Sequence, residues 1–282
     1  IYIVGDNVAK KENGILNFIN EHYLDIGNVE CYRGSVNLEI SDISFATSWE
    51  SAYYVYYDDN TSLKAYFIQD YEPYFYPLGS DYVFAEMTYD FGFYHLCASR
   101  WLAKKLIKDD FGSYFDLGVN LSNYKINNTI QRNQNQIFVY LRSNTPRRAT
   151  EIILMTLKNL VQLNNNVEIV FAGEKNITID IPFQYSNLGI VHPDELPRIY
   201  NESTIALVGS LTNYSLLPQE LMASGCLVVD INLENNRMVH KDGTIVLAGP
   251  SPFDLAENIN YYLNNPSERQ IIIDNALDYT KE

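Results

Sequence analysis

The sequence is poor in the residues that organise small secreted, metal-dependent and membrane proteins. It has 3 cysteines in 282 residues, at positions 31, 97 and 226, and no two are close enough to form a CxxC pair. A disulfide framework and a thiolate zinc site are thereby excluded. Each cysteine sits among apolar residues and reads as a buried thiol suited to a reducing, cytoplasmic compartment. The 4 histidines, His22, His95, His192 and His240, do not cluster with the cysteines, so no metal-ligand spacing emerges. His192 and His240 stand singly and read as structural. No apolar run approaches the ~20 residues of a membrane span. Ile1–Gly5 is strand-like with no basic region before it, which argues against a signal peptide. Positive charge is scarce, with 20 Lys and Arg against 35 Asp and Glu and a net charge of −15. Such a chain repels polyphosphate backbones, so nucleic acid is not an expected partner. Any local group of arginines must be held against that field and is correspondingly informative. Neither G-x-G-x-x-G nor G-x-x-x-x-G-K-[ST] occurs, which removes the main signal of a dehydrogenase or a P-loop enzyme.

What the sequence has is apolar patterning. It is 46% hydrophobic, with 23 tyrosines and 13 phenylalanines. That is enough for two cores, and the length favours two domains. In the first half, strands are expected at Ile1–Val4, Ile43–Ala46, Ala65–Ile68 and Tyr94–Ala98. Helices are expected at Asn13–His22, Glu50–Tyr57, Tyr82–Phe91 and Arg100–Lys108. The Asn/Gln-rich stretch 120–136 has little apolar periodicity and reads as an interdomain linker. A second alternating block begins at Ile137, with strands at Ile137–Leu141, Val167–Ala172, Ile205–Val208, Leu227–Asp230 and Thr244–Leu247. Its helices are Ala149–Leu163, Pro193–Tyr200, Pro218–Ser224, Phe253–Asn264 and Ser267–Tyr279. The expected architecture is α/β: two Rossmann-like doubly wound domains, 1–135 and 137–282, facing a crevice.

Two segments carry chemistry. In Leu211–Asp230, a strand ends at Gly209-Ser210, a loop follows, and Pro218 and Glu220 fall in the first turn of a helix that Gly225 closes. A diphosphate suits that sheet edge, and Glu220 is placed to accept hydrogen bonds from ribose hydroxyls. The alternative is that Glu220 only complements the helix dipole. In Ile137–Thr150 a strand runs into a loop bearing Arg142, Arg147 and Arg148. Guanidinium forks stabilise charge growing on a phosphoryl leaving group; the alternative is a solvated basic loop. Gly173, ending VEIVFAGE, reads as a close-approach turn near a nucleotide base.

The first segment resembles the E-x7-E region of the retaining family-four GT-B glycosyltransferases, written E-G-F-G-L-P-P-L-E-A-M-A-C-G. Pro218, Glu220, Met222, Ala223 and Gly225 match it. The resemblance implies that Glu220 binds the ribose and that Arg142, with Arg147 or Arg148, clamps the donor pyrophosphate. It places Thr212, Asn213, Tyr214 and Ser215 in the donor loop, and Thr212 stands where the family has its first glutamate. NLGIVHPDELPRIY is similar to the next family element, which frames the base pocket.

In the first half, ISFATSWESAY and YFIQDYEPYFYPLGS resemble a rhamnosyltransferase branch typified by bacterial S-layer glycan enzymes, as does TPRRA. Trp49, Gln69, Asp70 and Tyr71 are then acceptor-side candidates, with Trp49 and Tyr71 suited to stacking on a sugar. Asp70 and Glu72 are the acidic catalytic candidates. The N-terminal lobe lacks the family's opening strand and Gly-rich loop and is expected to be short or truncated. The resemblance implies transfer of a sugar, with dTDP-rhamnose favoured, to a bacterial surface glycan, polysaccharide or lipid-linked glycan acceptor. It implies no metal or cofactor, and it is compatible with a homodimer and with peripheral association at the inner membrane face through the acceptor. Two rivals remain: a GT-B sugar-nucleotide epimerase, and a degenerate, non-catalytic binding module.

Overall fold

The computed structural model describes residues 2–3, 12–22, 27, 29–33 and 40–282. The expected strand ends Ile1 and Val4 lie outside them. The chain divides into two compact units, 1–98 with 102–114, and 99–101 with 115–282.

In the first unit β1 (Tyr2–Ile3) pairs in parallel with β2 (Tyr32–Arg33), with α1 (Glu12–His22) between them in sequence. A four-stranded parallel sheet follows, in the order β3 (Ile43–Ala46), β4 (Leu63–Ile68), β5 (Tyr94–Cys97), β6 (Gly112–Tyr114). Its crossovers are α2 (Trp49–Tyr57), α3 (Ser80–Met87) and α4 (Arg100–Leu106). Strand order runs one way, so right-handed crossovers set these helices on one face. Ala46, Tyr66, Ile68, His95 and Cys97 are buried. Strand residues of the opposite parity, Ile43, Phe45, Leu63 and Tyr94, are exposed and line a hollow of about 600 Å³. Helix α2 starts where Ser48 and Ser51 cap each other reciprocally, each side chain accepting from the other's backbone N–H.

The second unit holds a six-stranded parallel sheet ordered β9-β8-β7-β10-β11-β12. Its strands are β7 (Asn133–Tyr140), β8 (Glu168–Ala172), β9 (Ser186–Asn187), β10 (Ser203–Leu207), β11 (Leu227–Ile231) and β12 (Val246–Ala248). This is the doubly wound order, with its switch point between β7 and β10. Every residue of β10 and β11 is buried, as helices on both faces of a parallel sheet require. One core packs Ile137, Val139, Phe171 and Val229 with Leu157 of α5 (Thr150–Leu163) and Ile259 of α9 (Pro252–Asn264). The other packs Phe138, Ala206 and Val228 with Tyr200 of α6 (Leu196–Glu202), Leu221 of α7 (Leu217–Ala223) and Ala276 of α10 (Pro266–Tyr279). A short helix α8 (Glu234–Val239) follows β11. Helix α7 ends in a Schellman motif: Cys226 N–H donates to Leu221 O at 3.0 Å, Gly225 N–H donates to Met222 O at 2.9 Å, and Gly225 has φ +72°.

The division between the units falls after Tyr114, ahead of the expected linker. The 120–136 segment is not a linker but part of the second unit. Asn127 N–H donates to Asn201 Oδ1 at 2.8 Å, and Asn201 Nδ2 donates to Lys125 O at 3.0 Å. Arg132 donates to Tyr200 O at 3.3 Å, to Ser224 O at 2.8 Å and to Ser203 O. The tract is largely exposed, but the Arg132 side chain and the backbone at Lys125 and Asn127 tie it to α6 and to the end of α7. Of the cysteines, Cys97 and Cys226 are buried and Cys31 is half-buried. Among the described residues no helix is long and apolar enough to cross a membrane.

Arg132→Ala removes one guanidinium from three carbonyls and is expected to destabilise the second unit by about 2–3 kcal/mol in chemical denaturation. Arg132→Lys recovers only part of this, because an ammonium cannot reproduce the planar fork.

Candidate functional site

Ligands of doubly wound sheets bind at the carboxyl ends of the strands that flank the switch point. Here those strands are β7 and β10, and their loops are joined. Leu211 N–H, after β10, donates to Arg147 O, after β7, at 3.2 Å. Gly209 makes the join: a Cβ there would lie 2.6 Å from Arg148 O and 3.0 Å from Ala149 Cβ. On the β7 side, a 3-10 turn at Pro146–Arg148 ends at Ala149, whose φ of +53° is left-handed. Arg142 O accepts from Thr145 N–H at 3.0 Å and from the Thr150 hydroxyl at 3.3 Å. The loop after β8 adds a carboxylate, Glu174, which accepts from Ser143 N–H at 3.0 Å and from Ser143 Oγ at 2.6 Å.

The β10 loop is held from its other side by β11 and α8. Asp230 Oδ1 accepts from Ser210 N–H at 3.0 Å. Asn235 Nδ2 donates to Ser210 O at 3.0 Å and also to Thr212 O. Asn236 Nδ2 donates to Ser210 O at 3.1 Å and to Ile231 O at 2.8 Å. Asp230 is fully buried, and burial pushes its carboxyl up to about 6 against the lowering effects of Ser210, Ile231 and Arg148.

The expected donor residues divide by their surroundings. Arg142 is exposed, with its guanidinium 5.1 Å from the Tyr140 ring centroid. Arg147 is half-buried and contributes its carbonyl to the seam. Arg148 is half-buried and acts on the Asp230 carboxylate. Glu220 is half-buried in the first turn of α7, where its Oε2 accepts from the Tyr200 hydroxyl at 3.3 Å. Burial raises its carboxyl, while Tyr200 and Tyr124 lower it. Gly173 has φ +99°, and its close approach is to the chain itself: a Cβ there would lie 2.7 Å from Tyr140 Cε1 and 2.8 Å from Leu141 O. Thr212 and Asn213 are buried and Ser215 is half-buried. Tyr214, expected in the donor loop, anchors the loop to the chain after β6. It is buried, its hydroxyl accepts from Leu117 N–H at 2.5 Å, and its ring meets His240 edge-on at 5.7 Å.

In the first unit, Glu72, a catalytic candidate by sequence, is buried at the start of α2. Its Oε2 accepts from Trp49 N–H, the first residue of α2, at 2.5 Å and from the Tyr66 hydroxyl at 3.3 Å. Burial raises its carboxyl to about 7. Tyr71 is likewise occupied. Tyr89 stacks with it at 5.5 Å, Lys105 Nζ lies 4.2 Å from its ring centroid, and its hydroxyl donates to Glu86 at 2.8 Å. Trp49 is half-buried, edge-on to Tyr53 and Tyr76, and donates to the Tyr76 hydroxyl at 2.9 Å. Gln69 is exposed, and Asp70 is half-buried and accepts from Tyr71 N–H at 2.8 Å. His192 accepts from Asp194 N–H at 3.4 Å and caps a 3-10 turn. Among the described residues no three His, Cys, Asp or Glu side chains converge to hold a metal.

Sequence reasoning missed Asp230, Asn235, Asn236 and Glu174 as loop holders, and Tyr124 and Tyr200 as partners of Glu220. One signal was present for the first: an acid at the carboxyl end of an apolar strand next to the switch point.

Residues 135–260 match the family described as WsaF, C-terminal domain. The O-antigen biosynthesis protein RfbC of Myxococcus xanthus is 28% identical across 86% of this chain, which spans only 20% of that protein's length. Sucrose-phosphate synthase from Thermosynechococcus elongatus superposes with a TM-score of 0.68 at 13% identity, over 85% of this chain and 69% of that one. Anabaena HepE in complex with UDP-glucose superposes with a TM-score of 0.70 at 14% identity, over 85% of this chain and 74% of that one. The fold is α/β with parallel sheets, the GT-B class of these solved structures.

Gly209→Ala is expected to destabilise the second unit by about 1–3 kcal/mol, because its Cβ must displace a backbone carbonyl. Gly118→Ala, where nothing lies within 4 Å, should fall within ~0.5 kcal/mol of the parent in the same denaturation series.

Glu72 gives a pH signature. Its folded value, about 7, lies above the ordinary 4.5, so the native state holds the proton more tightly. Its contribution is then fully present below pH ~4.5 and lost as pH rises through ~7. Glu72→Gln keeps an acceptor for Trp49 N–H and removes this loss. The variant should match the parent near pH 4 and exceed it by on the order of 2–3 kcal/mol above pH 7, read from stability against pH.

Proposed function

We propose that the chain is the nucleotide-sugar-binding part of a glycosyltransferase of glycan biosynthesis. It moves a sugar from a nucleoside diphosphate to an acceptor hydroxyl. The observation that carries this reading is the seam at the switch point: a loop bearing Arg142 and Arg147 is hydrogen-bonded to the loop that leads into Glu220. In this reading the two guanidinium groups hold the diphosphate and Glu220 accepts from the ribose. The bond from the anomeric carbon to the diphosphate oxygen breaks as the acceptor oxygen bonds to that carbon. Charge grows on the departing diphosphate, where fixed guanidinium groups are most effective. Arg148, already acting on Asp230, is the weaker clamp of the adjacent pair. The diphosphate charge is met by arginine, and the reading uses no metal ion.

The finer reading is a retaining enzyme that takes dTDP-rhamnose and serves a bacterial surface glycan or polysaccharide. It is supported by the resemblance of TPRRA and the first-half segments to the rhamnosyltransferase branch, and by Thr212 in place of a carboxylate, which suits a deoxysugar with a different hydroxyl pattern. With Glu72 and Tyr71 committed to packing, Gln69, Asp70 and Trp49 are the acceptor-side residues in this proposal.

A thermal-shift panel of nucleotide sugars tests it, because a ligand that binds only the folded chain raises its melting temperature. dTDP-rhamnose should give the largest shift. Arg142→Ala and Arg147→Ala should each weaken its binding by about tenfold or more while circular dichroism is unchanged. If incubation with donor alone released an epimerised nucleotide sugar, the chain would be an epimerase. If no nucleotide bound, it would be a non-catalytic module.

A further inference from the structure

The carboxylate assigned to the ribose is itself held. The Tyr200 hydroxyl donates to Glu220 Oε2 at 3.3 Å, and Tyr200 is only 1% exposed. The Tyr124 ring stacks on that of Tyr200, with centroids 5.9 Å apart and planes 24° apart, and its hydroxyl faces the same carboxylate. Phe138 of β7 closes the far side of Tyr200, edge-on at 5.3 Å. The chain beside Tyr124 is fixed by the Asn201 side chain, which spans Lys125 O and Asn127 N–H. Two hydroxyls remote in sequence, one ahead of β7 and one on α6, therefore reach a single glutamate in the first turn of α7.

Packing alone does not require those hydroxyls. Phenylalanine would fill both ring positions, and a buried tyrosine hydroxyl is retained where it has a partner. A glutamate left to itself loses up to ~2 kcal/mol of rotamer freedom on being fixed. Here two stiff donors restrict it before any ligand arrives, which is how preorganisation raises affinity. Resting on the nucleotide-sugar reading above, we propose that Tyr124 and Tyr200 are positioning residues that hold the Glu220 carboxylate where the nucleotide ribose presents its 3′-hydroxyl. The tyrosines do not touch the reacting atoms; they act through Glu220.

The test compares two ligands on each protein. Whichever of UDP and dTDP binds the parent chain more tightly is titrated by calorimetry, followed by its 3′-deoxy analogue. The ratio of the two dissociation constants measures how well the 3′-hydroxyl is read. The parent should prefer the 3′-hydroxyl by about tenfold, as expected for a hydrogen bond to a charged group. Tyr124→Phe and Tyr200→Phe should each shrink the ratio, and the double variant should bring it near one. Binding of the 3′-deoxy analogue should change by less than about twofold. Glu220→Gln should also bring the ratio near one, which confirms that the tyrosines work through it. Because each ratio is taken on one protein, a general loss of stability cancels. A ratio unchanged in both phenylalanine variants would overturn the proposal and leave the nucleotide-sugar reading standing. A parent ratio of one would remove the ribose role of Glu220 and the proposal with it. A parent that bound neither nucleotide would overturn the functional reading first.

Discussion

At the switch point of the second sheet, the loop after β10 presses against the loop after β7 with no side chain between them. Gly209 permits this, since any Cβ there would lie 2.6 Å from the Arg148 carbonyl. The doubly wound order makes the contact necessary. From β7 the chain leaves to α5 on one face, and from β10 it leaves to α7 on the other, so the two exits diverge and a crevice opens between them. The bond from Leu211 N–H to Arg147 O spans the divergence. It turns two loops into one surface, and the arginines ride on backbone that is fixed from both sides.

Fixing that surface needs charge balance as well as contact. The chain carries −15 overall, yet it places three arginines within seven residues beside a buried acid. Asp230 holds the Ser210 and Ile231 amides, and Arg148 offsets its charge. Asn235 and Asn236 do the remaining work with neutral amides, which tie down carbonyls without adding charge. The outcome is a loop that gathers three arginines and is held by two carboxylates, Asp230 and Glu174, and by neutral amides. A site for an anionic ligand on an acidic protein needs that arrangement, because a screened, solvated basic loop would be opposed by the surrounding field.

The second unit was the more legible half. Its central strands β10 and β11 are buried on both faces and read as apolar runs, and the arginine loop and Glu220 are marked by charge and by helix punctuation. The supports were harder to see. Asn235 and Asn236 lie in a short helix that apolar periodicity does not reveal, since two of its three buried side chains are amides. The 120–136 tract looked like a linker because its surface is polar and exposed, while what ties it down is one arginine, Arg132, and backbone groups that bond the remote Asn201. The tyrosines misled for a related reason. A sugar-stacking face and a packed face use the same residue, and the Tyr71 ring stacks with Tyr89 and lies 4.2 Å from Lys105 Nζ. Glu72 looked catalytic because acids near strand ends so often are, while the N–H it caps, on Trp49, lies far away in sequence.

The same reasoning accounts for the departure at Thr212. A glutamate at that position would place a second carboxylate in a loop whose backbone already rests on Asp230. The position is 4% exposed, so the added charge would be desolvated or would take up a proton. Arg148 already acts on Asp230. A hydroxyl at 212 leaves that balance intact, and Asn235 still receives the Thr212 carbonyl it needs. Thr212 and the amides of Asn235 and Asn236 thus leave the loop without a further buried charge beside Asp230.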